Sequence, residues 1–370
     1  MYKNLLWEAA LVNVAIIGAG PSGLACALEL ERHGIAPVIF EQRHRPGDLF
    51  DHCAAVLELF TRPNDPLADL KKNYSIELRP INGIRTIVMK SPQKEVNVKG
   101  KLGYFFMRGG DPNSVETQLY NKLKTRVSTN TKVHYTDLHR DYDYVVVASG
   151  GRETSRTEGI WSTVFSSNMI GGTVIGRFDL TRLLMWMDTR YSKNAYAYLA
   201  PMEKKRAFLG LVVPESTVEE ARERWKNFWM LESHPYEQVN EIIVEHKAGF
   251  VYPHQVGNLL FVGISGGFQE PFLGFGLISA LKSGVLAGRA IATGRRYEDL
   301  LVQLKEDMKH SLILREMFNS VDNKALDNIM MTLKIPGIKP LIYNTNIDFI
   351  RIGTSAAAHI KKVLTNLRKG

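Results

Sequence analysis

The sequence predicts an α/β fold: a parallel sheet assembled from three separated segments, an antiparallel sheet inserted between them, and a helical C-terminal region. Three observations predict this arrangement. Nearly continuous apolar runs end in glycine-rich turns close to residues 17, 147 and 262, as buried parallel strands do. Alternating segments with hairpin patterns lie between those runs. From about residue 300 onward the apolar side chains recur with helical spacing.

The first segment reads as a βαβ unit. The run VNVAII at 12–17 is a predicted buried strand, and the helix SGLACALELERHG follows it and ends at Gly34. The run APVIFEQ at 36–42 is then a second strand. Strand, helix and strand in this order predict two parallel neighbours in one sheet.

A glycine-rich turn, GAGPSG, joins the first strand to its helix, and Glu41 ends the second strand. Gly18 permits the tight turn, Gly20 lets a pyrophosphate approach the backbone, and Gly23 allows close helix packing. The helix N-terminus offers N–H groups to phosphates, and Glu41 accepts hydrogen bonds from ribose hydroxyls. This fingerprint predicts a bound dinucleotide, NAD or FAD, held by Gly18, Gly20, Pro21, Ser22, Gly23, Glu41, Gln42 and Arg43.

Two further apolar runs, at 142–151 and 258–267, predict more buried strands that end in glycines. Residues 75–100 alternate and contain the turn pair Asn82-Gly83, and residues 194–213 read as a hairpin around a charged loop. These antiparallel segments interrupt the parallel ones. A sheet domain inserted into a discontinuous nucleotide domain is therefore expected.

Composition narrows the class of protein. A composition of 45% hydrophobic and 23% charged residues is typical of a globular protein, and a length of 370 residues predicts two domains or one large domain with an insertion. Cys26 and Cys53 are the only cysteines, and no Cys or His cluster has zinc spacing, so neither a disulfide framework nor a metal site is expected. The start of the chain is too interrupted for a signal peptide, and no apolar run reaches the roughly 18 residues of a membrane span. A cytoplasmic protein is predicted.

The net charge is +9, and the basic residues are scattered rather than gathered into a stripe with aromatics, so nucleic acid is not an expected partner. An anionic lipid surface or an acidic redox partner would profit from this charge. The C-terminal HIKKVLTNLRKG predicts an amphipathic helix, either a solvated helix end or a peripheral contact with a membrane.

The glycines of the stretch GISGGFQEPFLGFGLISALKSG, at 263–284, indicate that its backbone lies very close to another group, such as a ligand. The stretch resembles the geranylgeranyl reductase branch of FAD-dependent enzymes with the para-hydroxybenzoate hydroxylase fold, in which a late strand ends in GDAAG before a proline, a glycine-rich loop and a helix. The resemblance implies that FAD is the cofactor. Its flavin ring and pyrophosphate would meet the backbone at Gly263, Gly266, Gly267, Gly274 and Gly276.

Three other segments agree with this family in order and spacing. YVVVASGGRETSR resembles its vvGADGxxSxxR strand end, which implies that Gly150 contacts the cofactor. RGGDPNSVETQLYNKL resembles its Arg-led helix, which implies that Arg108 reaches the flavin nucleotide. YAYLAPMEKKRAFLGLVV resembles the YxWxFP…GLG hairpin that roofs the substrate cavity, which places Tyr196 and Tyr198 there. The resemblance covers roughly residues 12–295.

The departures bear on the cofactor and the cavity. Ile264 stands where the family has the aspartate of GDAAG, and Ser149 stands where it has the aspartate of ADG. FAD is then bound less tightly, or the backbone carries these contacts, or the chain is a relative without flavin. Tyr198 and Ala200 replace a tryptophan and a phenylalanine of the hairpin, so a cavity of different shape is expected.

The family implies an oxidoreductase that transfers hydride from reduced FAD to C=C bonds of an isoprenoid chain on a lipid or quinone. Such chemistry needs a proton donor, and the candidates are Tyr196, Tyr198 and Cys53, the last near the cysteine of archaeal members. Cys53 is otherwise a small buried hydrophobe. The reductant, NAD(P)H or ferredoxin, stays open. The alternatives are an FAD-dependent monooxygenase of an aromatic or quinone-like substrate and a non-catalytic flavin-fold protein.

The predicted domains follow from these segments. Residues 1–70, 101–165 and 250–300 form the discontinuous FAD-binding domain. Residues 71–100 and 166–249 form the antiparallel substrate domain, and 301–370 form the helical region.

Overall fold

The computed structural model describes residues 12–47, 51–345, 347–348 and 350–355. The start of the chain and the predicted amphipathic helix at 359–370 lie outside these residues. The strands are β1 Val14–Ile17, β2 Val38–Phe40, β3 His52–Leu57, β4 Asn82–Lys90, β5 Glu95–Arg108, β6 Val127–Ser128, β7 Tyr144–Val147, β8 Trp161–Ile175, β9 Arg182–Trp186, β10 Ala197–Pro201, β11 Arg206–Pro214, β12 Glu237–Gln238, β13 Ile242–Val251, β14 Gln255–Val256 and β15 Leu259–Phe261. The α-helices are α1 Pro21–Arg32, α2 Pro66–Tyr74, α3 Val115–Tyr120, α4 Tyr135–Leu138, α5 Glu153–Thr157, α6 Thr189–Ser192, α7 Val218–Glu232, α8 Leu277–Thr293, α9 Tyr297–Leu300, α10 Val302–Phe318, α11 Asn323–Lys334 and α12 Ile338–Tyr343.

Strands from all three predicted segments meet in one sheet. Its order is β14-β15-β7-β1-β2-β6, and the pairs β15–β7, β7–β1, β1–β2 and β2–β6 are parallel. The carboxyl ends of β1, β2, β7 and β15 therefore lie side by side, where an open parallel sheet binds its ligands. This confirms the predicted α/β fold and brings the glycine-rich turns together at one edge.

A second sheet of nine described strands is almost wholly antiparallel. Its order is β12-β8-β11-β10-β9-β4-β5-β3, with β13 also paired to β8. The predicted hairpin at 194–213 is confirmed as β10 and β11, with Tyr198 opposite Gly210. Only β4 and β9 pair in parallel within the described part of this sheet.

The predicted turn at Asn82-Gly83 is wrong. Both residues open β4 and pair with Phe105 and Tyr104 of β5, and the chain reverses instead at 91–94, where Ser91 N donates to Lys94 O at 2.8 Å. A two-residue hairpin turn of this type needs positive φ at both positions. Neither Asn82 nor Gly83 adopts a positive φ, so the pair is simply part of a strand.

The domain bounds stay a prediction, although two strands bear on them. β3 and the 101–108 part of β5 belong to the nine-stranded sheet, whereas the sequence places both segments with the nucleotide domain. The chain therefore crosses between the sheets immediately after its first βαβ unit.

The nine-stranded sheet buries apolar side chains on both faces. One face packs under α7, where Trp225 and Phe228 are buried and Trp229 is partly buried, as predicted for core aromatics. On the other face, Tyr198 and Phe208 belong to an apolar cluster with residues of α11 and α12. Among the described helices, none is both long and apolar enough to cross a bilayer.

Candidate active site

The glycine-rich turn after β1 contains two glycines that no larger residue can replace. Gly18 has φ +104°, and a Cβ there would lie 2.4 Å from Ala148 O. A Cβ on Gly23 would lie 2.0 Å from Gly18 O. At Gly20, by contrast, no atom lies within 4 Å of the Cβ position. The turn is thus tightly packed on one side and open at Gly20, the position predicted to let a pyrophosphate approach.

Glu41 is buried at the end of β2, where its carboxylate binds the turn after β1 and the loop after β2. Its Oε2 accepts from Ala19 N at 2.9 Å, and its Oε1 accepts from Arg43 N at 2.9 Å. Each carboxylate oxygen can accept a further hydrogen bond, so Glu41 retains capacity for ribose hydroxyls. Gln42 is exposed and Arg43 is partly buried.

The ends of β7 and β15 meet through hydroxyl groups. Ser149 Oγ and Ser265 Oγ lie 3.1 Å apart, and Ser283 Oγ accepts from Gly263 N at 3.0 Å. Gly263 has φ +57°, and a Cβ there would lie 2.6 Å from Ser22 Oγ at the start of α1. The side of Gly150 is open, with φ +73° and no atom near its Cβ position. Ser149 and Ile264 therefore occupy the two positions where the family has aspartates, and Ser265 lies beside Ser149.

The glycine-rich loop at 268–276 is held by a buried carboxylate that sequence reasoning missed. Glu270 accepts from Phe272 N at 2.8 Å, Leu273 N at 2.8 Å and Phe275 N at 2.9 Å, and also from the Ser311 hydroxyl of α10. Burial raises the pKa of Glu270, and these hydrogen bonds oppose that rise. The available signal was a glutamate inside an apolar, glycine-rich run.

A buried imidazole lies against the same loop. His246 Nδ1 is 3.2 Å from Ser167 Oγ, and its Cε1 lies 3.1 Å from the Cβ position of Gly274. Burial lowers the pKa of His246 to about 4, and the neighbouring Gln269 amide opposes the shift. The ring is therefore neutral at physiological pH. A larger residue at Gly274 would displace this ring, so the packing of His246 explains why position 274 is a glycine.

Arg108 stands at the end of β5 and is engaged with Glu116. Its Nε and Nη2 donate to Glu116 Oε1 at 2.8 and 2.7 Å. Glu116 is buried in α3, so the pair holds the Arg108 guanidinium against α3. Contact between Arg108 and a flavin nucleotide stays a prediction.

The three predicted proton donors lie close together on one face of the nine-stranded sheet. The Tyr196 hydroxyl donates to Leu273 O of the glycine-rich loop. The Tyr198 hydroxyl lies 3.9 Å from Met169 Sδ, and Cys53 Sγ lies 3.5 Å from Pro201 O. Burial raises the pKa of all three groups, so each is protonated at neutral pH.

A cavity of about 180 Å³ lies between this face and the C-terminal helices. Of the three candidates, Tyr196 lines it, whereas Tyr198 and Cys53 do not. Phe272 and Leu273 of the glycine-rich loop form part of the wall. The remaining lining is mostly apolar and comes from β3 to β9 and α10 to α12: Leu57, Leu59, Phe60, Ile87, Met89, Leu102, Met185, Met187, Ala195, Phe318, Leu326, Ile329, Met330, Leu333 and Tyr343.

Several polar side chains also line the cavity. Arg315 is 2% exposed, and its Nη2 donates to Asn194 O at 2.8 Å while its Nε donates to Asn319 Oδ1 at 2.9 Å. Glu58, Arg62 and Lys101 complete the lining. Sequence reasoning missed Arg315 because one of its two partners, Asn194, lies 121 residues earlier in the chain.

The carboxyl ends of β1, β2, β7 and β15, with the glycine-rich turns that follow them, are here called the nucleotide edge. The geometry of this edge fits a bound FAD. Gly20 and Gly150 leave open space beside the backbone, the N-terminus of α1 carries no side-chain cap, and Glu41 has acceptor capacity left. These are the features that bind a pyrophosphate and a ribose. The glycine-rich loop then runs from this edge to the apolar cavity, a path suited to a flavin ring.

Comparisons with known proteins agree with this assignment. Residues 16–52 match the family model described as an NAD(P)-binding Rossmann-like domain. The digeranylgeranylglycerophospholipid reductase of Methanocella arvoryzae is 24% identical over 363 residues, which cover 86% of this chain and 89% of that protein.

Solved structures show the same fold. A geranylgeranyl bacteriochlorophyll reductase-like protein from Thermoplasma acidophilum superposes with a TM-score of 0.70 at 15% identity, covering 93% of this chain and 95% of that one. A 2-methyl-3-hydroxypyridine-5-carboxylic acid oxygenase superposes with a TM-score of 0.59 at 15% identity, covering 90% and 96%. The chain is thus similar over most of its length to a digeranylgeranylglycerophospholipid reductase, and it shares the fold of these solved flavoenzyme structures.

Proposed function

We propose that this protein reduces C=C bonds of an isoprenoid chain, on a geranylgeranyl lipid or a prenyl quinone, with hydride from reduced FAD. The observation that carries the proposal is the apolar cavity, whose wall includes Phe272 and Leu273 of the glycine-rich loop. Most of the side chains that line this cavity are apolar. The methionine- and leucine-lined walls suit a flexible, branched hydrocarbon.

The residues that would hold FAD are those of the nucleotide edge. Gly18, Gly20 and the start of α1 would receive the pyrophosphate, Glu41 the adenosine ribose, and Gly150 with the 263–276 backbone the flavin side. When bound and reduced, FAD supplies a hydride to one alkene carbon. Ser149 offers a hydroxyl at one of the two positions where the family has an aspartate, and the neighbouring Ser265 adds a second hydroxyl 3.1 Å away.

The chain's own residues have three tasks in this reaction. The cavity binds and orients the alkene, and it excludes water. Tyr196, whose raised pKa keeps it protonated, holds a proton at its hydroxyl for the second alkene carbon. Glu270 positions the loop that presents Phe272 and Leu273 to the cavity. Hydride plus proton balances the saturation of one double bond, and solvent returns a proton to the tyrosine after the product has left the cavity.

The electron donor and the location belong to the same proposal. The names of the relatives point to a membrane lipid as substrate, which makes a peripheral contact with a membrane reasonable. The net charge of +9 would favour an acidic redox partner such as a ferredoxin, and NAD(P)H is the alternative reductant. The cytoplasmic location stays a prediction.

An anaerobic single-turnover experiment tests the function. The FAD-loaded protein is reduced with dithionite, freed of excess reductant and mixed with a geranylgeranyl lipid dispersed in detergent. We expect reoxidation of the flavin absorbance and a product heavier by two hydrogen atoms per reduced double bond. No reoxidation without oxygen, together with an oxygen-dependent hydroxylated aromatic product, would establish the monooxygenase instead.

A matched pair of variants ties the activity to the cavity. Met330→Phe fills space at a residue that is 1% exposed and lines the cavity, whereas Met317→Phe changes a side chain that is 52% exposed on α10. We expect kcat/KM to fall by about tenfold or more in the first variant and to stay near wild type in the second. Equal flavin absorbance in both variants confirms that each protein is folded.

A further inference from the structure

We propose that the corner between α11 and α12 is a docking surface that inserts into an anionic lipid bilayer. This corner, here called the apolar tip, consists of Met331, Ile335, Pro336 and Leu341. The inference rests on the proposed function, because a prenyl lipid must leave a bilayer to reach the cavity. It adds which surface of the molecule makes that contact.

The apolar tip is exposed although its residues are large and apolar. Met331 is 47% exposed, Ile335 53% and Leu341 44%, and Pro336 is exposed with them. Met331 lies in the last turn of α11, and Ile335 is the residue that caps the end of this helix. Ile338 N donates to Ile335 O at 3.2 Å and Leu341 N to Gly337 O at 3.0 Å, which folds the chain sharply at this corner.

Single exposed apolar residues are normal on any protein. The apolar tip differs from these because it lies on the helix that also forms a wall of the cavity. The opposite side of α11 supplies Leu326, Met330 and Leu333 to the wall of the cavity. Ile329, which is 36% exposed, both lines the cavity and reaches solvent. One helix thus presents apolar side chains to the surface and to the cavity. A lipid chain could pass around it without crossing open water.

The charges beside the tip favour an anionic bilayer. Lys324 and Lys334 are exposed on α11. Asp322 and Asp327 lie in the first half of α11 and its cap, farther along the chain from Ile335 and Leu341 than Lys334 is: Asp322 accepts from Ala325 N at 2.7 Å, and Asp327 accepts from Gln93 N at 3.1 Å. Apolar side chains flanked by lysines are the pattern of helices that lie in a membrane interface. A second copy of this chain would instead oppose lysine to lysine across a symmetric contact.

The test is sedimentation with vesicles. The full-length FAD-loaded protein is mixed with vesicles of phosphatidylcholine alone or with added phosphatidylglycerol, and the bound fraction is measured. We expect binding to the anionic vesicles that weakens with salt. Met331→Glu/Ile335→Glu should reduce the bound fraction by at least about tenfold, because two carboxylates would have to enter the interface beside anionic lipid.

A matched control comes from the far side of the nine-stranded sheet. Met230 is 70% exposed on α7, which covers the face opposite the cavity, so Met230→Glu should leave vesicle binding unchanged. The proposal is wrong if wild type does not bind anionic vesicles, or if Met230→Glu reduces binding as much as the double variant does. A dimer that the double variant abolishes, with vesicle binding intact, would assign the tip to a second copy of the chain.

Activity separates this inference from the proposed function. The double variant should reduce a short prenyl substrate dispersed in detergent at the wild-type rate and lose turnover of the same prenyl group embedded in vesicles. If no protein reduces either substrate, the proposed function fails, while the vesicle-binding result still decides whether the tip meets a bilayer.

Discussion

At the residue scale, glycines 20 and 23 are only three positions apart and have opposite surroundings. Gly23 faces Gly18 O and Ala148 Cβ at distances that exclude any side chain, while Gly20 faces open space. Gly20 adopts extended backbone angles, φ −79° and ψ −178°, which any residue tolerates. The fold therefore requires Gly23, whereas only a ligand can require Gly20.

This contrast gives a prediction about FAD binding. Gly20→Ala should lower the unfolding free energy of the FAD-free protein by no more than about 1 kcal/mol, because its Cβ meets no atom and only the weaker capping of α1 by alanine is felt. The same variant should weaken FAD binding by about tenfold or more, since the methyl group occupies the approach to the pyrophosphate. Fluorescence titration with FAD measures the affinity, and differential scanning calorimetry measures the unfolding.

Gly23→Ala is the matched comparison. Its Cβ would displace the Gly18 carbonyl, so we expect a loss of about 1–3 kcal/mol in unfolding free energy together with the loss of FAD binding. Equal FAD affinity in Gly20→Ala and wild type would show that no phosphate group approaches this turn.

What the sequence reveals at this scale depends on how far apart the partners lie. The fingerprint glycines and Glu41 are readable because turn, helix and acidic residue are local in the chain. Glu270, His246 and Arg315 are not, because Glu270 needs Ser311 and Arg315 needs Asn194, and only the fold brings those pairs together. Of the predicted donors, the sequence could not distinguish Tyr196, which lines the cavity, from Tyr198, which does not.

At the element scale, α1 and α8 pack with their backbones unusually close. A Cβ on Gly284 would lie 2.0 Å from Ser22 O, and a Cβ on Gly288 would lie 2.9 Å from Cys26 O. Two glycines four residues apart lie on one side of a helix, so α8 presents a smooth groove to α1. This contact joins the first and third segments of the parallel sheet and aligns Ser22 with Gly263.

We therefore expect Gly284→Ala to destabilise the protein by about 1–3 kcal/mol, because α8 must move away from α1. FAD affinity should fall as well, since the start of α1 and the 263–266 backbone would separate. Thr293→Ala, at the exposed end of the same helix, is the control and should change unfolding by less than about 1 kcal/mol. Urea unfolding measures both variants. Wild-type stability in Gly284→Ala would mean that the helices do not pack this closely.

The sequence predicts an element best where the periodicity of its apolar residues coincides with turn-forming residues at its ends. The strands of the βαβ unit and the β10–β11 hairpin have both signals and were found. Asn82-Gly83 has the punctuation of a hairpin, but pairing of β4 with β5 holds both residues extended. Tertiary pairing overrides a turn propensity when the adjacent residues extend a strand.

At the scale of the whole molecule, the C-terminal helices have a role that their helical periodicity alone did not reveal. α10, α11 and α12 close the cavity over the nine-stranded sheet, so the cavity is built from segments that lie far apart in the chain, from Leu57 to Tyr343. The sequence predicts helices there, but it contains no local signal for the surface on which they pack. Their contacts with β5 and the glycine-rich loop exist only in the assembled fold.

Glu298 of α9 links this helical layer to the parallel sheet. Its carboxylate accepts from the His254 backbone N–H, lies 3.2 Å from His254 Nδ1 and accepts from Lys305 Nζ at 2.9 Å. The His254 ring stacks on Phe268, with ring centroids 5.0 Å apart, at the start of the glycine-rich loop. Burial alone would raise the pKa of Glu298, but hydrogen bonds from His254 and Lys305 lower it to about 2.

This low pKa predicts how stability depends on pH. A carboxyl group whose pKa falls on folding contributes stability above its unfolded pKa of about 4.5, and that contribution is lost as the pH falls toward 2. Glu298→Gln should therefore cost about 1–2 kcal/mol at pH 7, after allowance for solvent screening. The gap to wild type should narrow steadily below about pH 4.5, as measured by urea unfolding across this range.

Glu306→Gln supplies the control for this pH dependence. Glu306 pairs with Lys309 at 2.6 Å on α10, but both side chains are largely exposed, so its removal should change stability little at any pH. If the deficit of Glu298→Gln stayed constant from pH 7 down to about pH 3, the link would act through packing rather than charge. The coupling of the helical layer to the glycine-rich loop would then have to run through the Glu270–Ser311 contact instead.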